Sequence, residues 1–312
     1  MKVSRGLPNP PLPPHPVLTI GNFDGQHLGH RYLLSTVVNW ARECGGTPMV
    51  LTFDPHPVQV LNPNIDFQFL TTPEDKLKWF ESVGVEHLVI LEFTKSFSAL
   101  SPEEFVGSIL RDGLGVRDLF VGEHFVFGQG RAGNTSTLTQ LGKRANFQVH
   151  LLKPLGSGDK VASSTHIRKL IQQCKMEEAR EFLGRSYSLQ GLVVEGDQRG
   201  QALGCRTANL RLPAGRVIPP DGVYVTNLHW KGRSFNSISY IGTRPTFGQG
   251  ERLLEVHILD EDCALYGEDV QVDFLKYVRG DEVFQSSDEL AAQIALDIDV
   301  AQDVFKKEKA RS

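Results

Sequence analysis

Apolar positions follow two rhythms along the chain. In the first, short apolar runs alternate with stretches of helical period. Residues 17–21 (VLTIG) form a continuous apolar run of the kind that fills a buried strand. Leu33, Leu34, Val37, Val38 and Ala41 then recur three and four apart, as on one face of an amphipathic helix, and Gly45-Gly46 ends the stripe. Residues 48–53 (PMVLTF) repeat the buried-strand signature, so 17–53 reads as a strand–helix–strand unit. A helix opened by Thr72-Pro73-Glu74-Asp75 follows, with proline at its first position. Next come a strand at 87–93 (HLVILEF), a helix opened by Ser101-Pro102-Glu103-Glu104 with glutamate at the capping-box position, and strands at 119–122 and 147–152. This alternation predicts a mostly parallel, Rossmann-like α/β sheet with helices on both faces.

Past residue 185 the rhythm changes. Residues 189–194, 223–230, 235–241, 253–259 and 270–275 are strand-like, separated by turns rich in Gly, Pro and Asp. They predict a small antiparallel sheet or closed β-barrel. A terminal helix, capped by Ser286 or Ser287, carries Leu290, Ile294, Ile298, Ala301 and Phe305 near one face. The expected organisation is a Pro-rich leader over 1–16 (prolines at 8, 10, 11, 13, 14 and 16), an α/β domain over 17–184 and a barrel domain over 185–312. Two domains also suit a length of 312 residues.

Composition narrows the function classes. Lys+Arg 33 against Asp+Glu 37 leaves a formal charge of −4, which argues against a nucleic-acid-coating role. Cys44, Cys174, Cys205 and Cys263 are scattered without a CxxC pair and read as free thiols in a reducing compartment. No apolar run has membrane-spanning length, and the leader has no apolar core of a secretory signal, so a cytoplasmic protein without membrane partners is expected.

Candidate chemistry gathers where strands should end. GNFDGQHLGH (21–30) lies between the first strand and the first long helix, at the edge of a parallel sheet where ligands bind and where helix N–H groups attract anions. Gly21, Gly25 and Gly29 permit close backbone approach, while His27 and His30, three apart, can address one ligand and donate to phosphate oxygens. The competing reading is a Gly-rich turn with two capping histidines; a zinc site lacks further ligands nearby. TFDPHP (52–57) puts Asp54 and His56 at the same edge, or is a plain Pro-rich strand exit. SSTHIR (163–168) offers Ser164 and Thr165 at a helix start and Arg168 one turn inside, for capping or for anion binding. GQGRAG (128–133) matches GxGxxG but comes too late in the fold for dinucleotide binding, and there is no P-loop.

GNFDGQHLGH, TFDPHP, VGEHFVFGQGRAG (121–133) and SSTHIR, in this order, resemble the adenylyltransferase half of the bacterial bifunctional riboflavin kinase/FMN adenylyltransferase family, the FAD synthetases. GDQRGQALGCRTANL (196–210), PDGVYV (220–225), IGTRPTF (241–247), LEVHILD (254–260), LYG (265–267) and residues 279–284 resemble the family's riboflavin kinase module. The resemblance implies FAD synthesis in two steps, with ATP, riboflavin, FMN and FAD as substrates and products and Mg²⁺ accompanying ATP. In the first half it assigns catalysis to His27, His30 and Arg168. ATP phosphate and nucleotide contacts fall to Gly21, Phe23, Asp24, Gly25, Gly29, Ser164 and Thr165, and flavin contacts to Asn22, Asp54, His56 and His124. In the second half it makes Glu255 the general base, Gly196, Gly200 and Gly204 a loop over ATP, Thr207 and Asn209 the residues for Mg²⁺ and phosphate, and Arg279 a flavin-side arginine.

The sequence departs from the family pattern mainly in the second half. Cys205-Arg206 precedes Thr207 where the family reads Phe-Pro, and Gln201 stands in place of a second loop arginine. In the first half His124, Val126 and His166 replace more usual residues. Two alternatives therefore accompany the bifunctional enzyme: an adenylyltransferase whose kinase module only binds flavin, and a flavin-binding regulator without catalysis.

Overall fold

The computed structural model describes the chain apart from residues 158–159, 195–206, 244–251, 260, 262, 264 and 312. By internal contacts it divides into two units, Met1–Ser164 and Thr165–Ser312.

The first unit is an α/β sheet. In chain order its elements are β1 (Lys2–Arg5), β2 (Pro16–Ile20), α1 (Leu28–Cys44), β3 (Thr47–Asp54), α2 (Pro57–Leu61), α3 (Pro73–Ser82) and β4 (His87–Glu92). Then come α4 (Lys95–Ser98), α5 (Pro102–Glu104), a π-helical segment (Phe105–Gly113), β5 (Asp118–Gly122), α6 (Thr135–Arg144), β6 (Gln148–Leu152) and a small hairpin of β7 (Gly156–Ser157) and β8 (Lys160–Val161). Six strands pair in parallel in the order β1-β4-β3-β2-β5-β6. Their side chains alternate between two cores. Leu18, Ile20, Met49, Leu51, Leu119 and Val121 pack with Leu110 and Leu138 on one face. Val17 and Phe120 pack with Val37 and Ala41 of α1, and Val50 and Leu88 with Trp79 and Phe80 of α3, on the other. The doubly covered parallel sheet is thus the expected one. After β2 the chain builds outward through β3 and β4, and β5 then returns to the opposite side of β2, which opens a switch-point crevice at the carboxyl ends of β2 and β5.

The expected leader is not a plain appendage. Lys2–Arg5 adds a parallel edge strand to β4, from Lys2 opposite His87 to Arg5 opposite Ile90. KVSR is too short and polar to signal a strand by periodicity, and only the unpaired edge of β4 makes it one. The capping box expected at Ser101 forms with Glu104, and Thr72 forms a further one with Asp75.

The second unit begins within α7 (Ser164–Gln172), one residue after its start, and continues with α8 (Met176–Leu183). A closed antiparallel barrel follows, of β9 (Tyr187–Val194), β10 (Thr207–Arg211), β11 (Gly222–Trp230), β12 (Arg233–Thr243), β13 (Arg252–Ile258) and β14 (Asp269–Arg279), in the order β10-β13-β12-β11-β14-β9. The chain ends in α9 (Ser287–Arg311), whose Ala301 and Phe305 pack on Val223, Val225, Ile238 and Leu275. At the start of α9 the Glu289 N–H donates to Ser286 Oγ at 3.2 Å. The expected domain junction at 184/185 coincides with the end of α8, which Gly184 closes in the left-handed region (φ 69°). By contacts the division falls earlier, so α7 and α8 group with the barrel. Strand β10 was not anticipated, because TANLR alternates poorly and takes its strand character from pairing with β13.

Candidate functional sites

The turn after β2 is a built structure. Asp24 is buried (1% exposed), and its carboxylate accepts from the Leu70 N–H at 3.0 and 3.1 Å, the Thr71 N–H at 3.0 Å and the Thr71 hydroxyl at 3.0 Å. The Gly25 N–H donates to Thr71 Oγ1, and the Gln26 amide donates to the Asp75 carbonyl. These bonds hold Phe23 (φ 52°) and Gln26 (φ 51°) in the left-handed region, a conformation that costs roughly 1–3 kcal/mol at each non-glycine residue. Gly25 is obligatory: its φ is 85°, and a Cβ there would lie 2.7 Å from Leu70 Cδ1. Asp24 and Gly25, assigned by resemblance to the nucleotide, thus also fix the turn that the nucleotide would meet.

That turn delivers the two histidines to the start of α1. His27 is the N-cap; its Nδ1 accepts from the His30 N–H at 3.3 Å, and the two rings stack at 3.6 Å. Burial lowers the His27 pKa from 6.5 to about 4, against an opposing pull from Asp24. Burial and the neighbouring His27 push His30 well below its ordinary value. Both rings are therefore neutral at pH 7. With Nδ1 accepting, a neutral His27 carries its proton on Nε2. Capping and ligand donation, posed as alternatives by the sequence, use opposite nitrogens and are compatible. Among the described residues, the buried His30 Nδ1 and Asn22 Oδ1 have no hydrogen-bond partner.

The other assigned residues fall at several places. The Ser164 hydroxyl donates to the Asp24 carbonyl at 2.7 Å, so the last residue of the first unit touches the turn. Thr165 and Arg168 occupy the first turns of α7, in the second unit. A cavity of about 270 Å³ lies beside Gly29, Tyr32, His124, Phe125, Lys153 and Leu155, at the carboxyl ends of β5 and β6. His124 lines it; Asp54 and His56 do not. Asp54 is exposed and pairs with Arg5 at 3.3 Å. His56 caps α2 and stacks on Phe67 at 4.5 Å. Gly21 and Phe23 sit on the turn itself, Phe23 buried against Trp79 and Phe80. Near the same turn, burial lowers the Lys76 pKa while Asp24 and Asp54 oppose the shift.

The barrel holds a second site. Cross-strand pairing aligns Asn209 with Glu255, Glu255 with Tyr240, Tyr240 with Val223, and Val223 with Arg279, a row running over five adjacent strands. Directly opposed residues share a face. Leu254 and Val256, alternating with Glu255, are fully buried. Thr207, Val223, Tyr240, Glu255, His257 and Arg279 line one cavity of about 440 Å³ together with Phe284, Leu290, Ile294 and Asp297. Thr207 lies opposite His257 and Asn209 opposite Glu255, so hard oxygen donors and the carboxylate fall on one face. Glu255 is thus half-buried beside a cavity. Tyr240 donates to Asp281 at 3.0 Å, and burial together with Asp281, Asp221 and Glu255 pushes its pKa up to about 12. Gly196, Gly200 and Gly204, with Gln201, Cys205 and Arg206, lie outside the described residues.

Comparison with known proteins matches both units. The FAD synthetase family model covers residues 10–166 and the riboflavin kinase model residues 183–305. Bifunctional riboflavin kinase/FMN adenylyltransferases from Buchnera aphidicola subsp. Schizaphis graminum and Escherichia coli K12 are each 35% identical, covering 98% of this chain and 99% and 98% of their own. The Bacillus subtilis protein of the same description is 34% identical over 90% of each chain. A crystal structure from Streptococcus pneumoniae, described as a macrolide-efflux protein, shares the fold with a TM-score of 0.86 at 27% identity, over 97% of this chain and 99% of that one. Among the described residues no helix is long and apolar enough to cross a membrane. With both units matched in order and the relatives covered end to end, this chain belongs to the bifunctional riboflavin kinase/FMN adenylyltransferase family.

Proposed function

We propose that the chain makes FAD from riboflavin in two ATP-dependent steps, one in each half. The barrel transfers the γ-phosphate of ATP to the riboflavin 5′-hydroxyl, giving FMN and ADP. The α/β half transfers AMP from a second ATP to the FMN phosphate, giving FAD and pyrophosphate. A cytoplasmic location belongs to the same proposal and suits the free thiols Cys44, Cys174 and Cys263.

For the first step, the observation that carries the reading is the row from Asn209 through Glu255 to Arg279 beside one cavity. Glu255 accepts the proton of the 5′-hydroxyl as its oxygen bonds to phosphorus and the bond to ADP breaks. Thr207 and Asn209 offer a hydroxyl and an amide oxygen, which suits Mg²⁺, an ion that takes few protein ligands and keeps phosphate oxygens and water. When bound, Mg²⁺ neutralises charge on the ATP phosphates. Arg279 and the apolar wall of Phe284, Leu290 and Ile294 face the flavin.

For the second step, protein groups position two phosphates in line and neutralise growing charge. The neutral imidazoles of His27 and His30 donate hydrogen bonds to the α-phosphate, joined by the hydroxyls of Ser164 and Thr165 and by Arg168. Gly21, Gly25 and Gly29 let the nucleotide approach the backbone. His124 faces the flavin from the cavity beside Gly29. The test is incubation with riboflavin, ATP and Mg²⁺, with FMN and FAD resolved by chromatography. Both products are expected. FAD from supplied FMN but no FMN from riboflavin would leave an adenylyltransferase only, and neither product would leave a flavin binder.

A further inference from the structure

The apolar stripe of α9 contains one anomaly. Leu290 and Ile294 line the barrel cavity, and Ile298, Ala301 and Phe305 pack on the barrel, but Asp297 sits between these groups and is 3% exposed. Its carboxylate accepts from Arg279 Nε at 3.1 and 3.0 Å, from Arg279 Nη2 at 2.9 Å, and from the Gln293 amide at 2.9 Å. Arg279 Nη1 donates to the Gly280 carbonyl at 3.2 Å, and the guanidinium lies 5.5 Å from the Phe284 ring centroid. A buried ion pair is weak support for stability, because desolvating both charges offsets much of their attraction. A hydrophobic residue at 297 would continue the stripe. What the pair does provide is geometry: these bonds use three of the five guanidinium N–H donors and fix the plane of the other two at the cavity wall.

We propose that Asp297, braced by Gln293, is a positioning residue for flavin recognition in the kinase half. It acts through Arg279 and ties the cavity end of α9 to the last barrel strand. The inference rests on the kinase reading above. It assigns recognition of the uncharged flavin acceptor to a helix outside the barrel, with a side chain that need not touch the flavin.

The test uses the full-length chain. Initial rates of transfer of labelled γ-phosphate from ATP to flavin are measured for the parent, Asp297→Asn, Gln293→Ala, Arg279→Ala and the double variant Asp297→Asn/Arg279→Ala. Asp297→Asn, which keeps the side-chain shape, is expected to raise the KM for riboflavin about tenfold, with kcat and the KM for ATP within about threefold of the parent. Gln293→Ala is expected to act in the same direction by about two- to threefold. The double variant should be no worse than Arg279→Ala alone, since Asp297 works only through that arginine. FAD formation from FMN in the same samples should be unchanged. An unchanged riboflavin KM in Asp297→Asn would overturn the proposal. So would a fall in kcat with both KM values raised, or effects that multiply in the double variant, since either marks a merely structural role. If the parent forms no FMN, the kinase reading fails; riboflavin affinity by flavin fluorescence, with the same variant ratios, then decides the role of Asp297 separately.

Discussion

The burial of His27 has a consequence for acid stability. Its pKa falls from 6.5 to about 4 on folding, so between these values the unfolded chain binds the proton that the folded chain refuses. Stability must therefore rise with pH across this window and be complete above pH 6.5. With these two values, His27 alone removes about 2 kcal/mol of stability at pH 5 and about 3 kcal/mol at pH 4, relative to pH 7.5. The perturbation that isolates the effect is His27→Asn. Asparagine keeps an oxygen that can accept the His30 N–H as an N-cap but cannot titrate. At pH 7.5 the variant should be no more stable than the parent, because it loses the ring stack on His30. At pH 5 the comparison should shift by about 2 kcal/mol in favour of the variant. Urea unfolding at several pH values measures this in a Trp230→Phe background, where Trp40 and Trp79 report the first unit. Parallel stability curves for parent and variant from pH 7.5 to 5 would refute the reasoning, as would a His27 proton resonance titrating near pH 6.5.

Replacing His30 or His27 by Ala should lower FAD formation from FMN by about 10²–10³-fold, with FMN binding far less affected, because a donor aimed at developing charge acts mainly on the transition state; turnover at saturating substrate measures it. Asp24→Asn places an amide N–H₂ against N–H donors that now meet a carboxylate, and should lower the stability of the first unit by about 2–3 kcal/mol by urea titration. Glu255→Gln should abolish FMN formation from riboflavin while FAD formation from supplied FMN continues; unchanged FMN formation would remove Glu255 as base. A fragment of residues 1–185 should make FAD from FMN, whereas one ending at residue 163 lacks Ser164, Thr165 and Arg168 and should make none.

Much of this architecture was legible because its signals are local. The run at 17–21, the stripe from Leu33 to Ala41, the Thr72-Pro73 helix start and the Ser101 capping box each encode an element within a few residues, and the alternation of elements encodes the parallel sheet. The elements that escaped depend on partners far away in sequence. Lys2–Arg5 becomes a strand only because β4 presents an unpaired edge, and Thr207–Arg211 only because β13 lies beside it. The site residues divide in the same way. His27 and His30 announce themselves three apart at a helix start, whereas Asp24 looks like a ligand-facing carboxylate until Leu70 and Thr71 are seen to hold it. Glu255 is ambiguous on its own strand, since alternation with buried Leu254 and Val256 describes a solvent-facing residue equally well. What changes its meaning is the register that sets Asn209 on one side of it and Tyr240 on the other, with Leu290 and Ile294 of α9 lining the same cavity. Asp297 is the reverse case: a charge in the apolar stripe of the last helix is a local irregularity visible in the sequence, and it becomes interpretable once Arg279, eighteen residues earlier, is found to be its partner. A polar residue that interrupts an otherwise apolar helix face should therefore be weighed as a candidate site residue before it is discounted as a defect in the pattern.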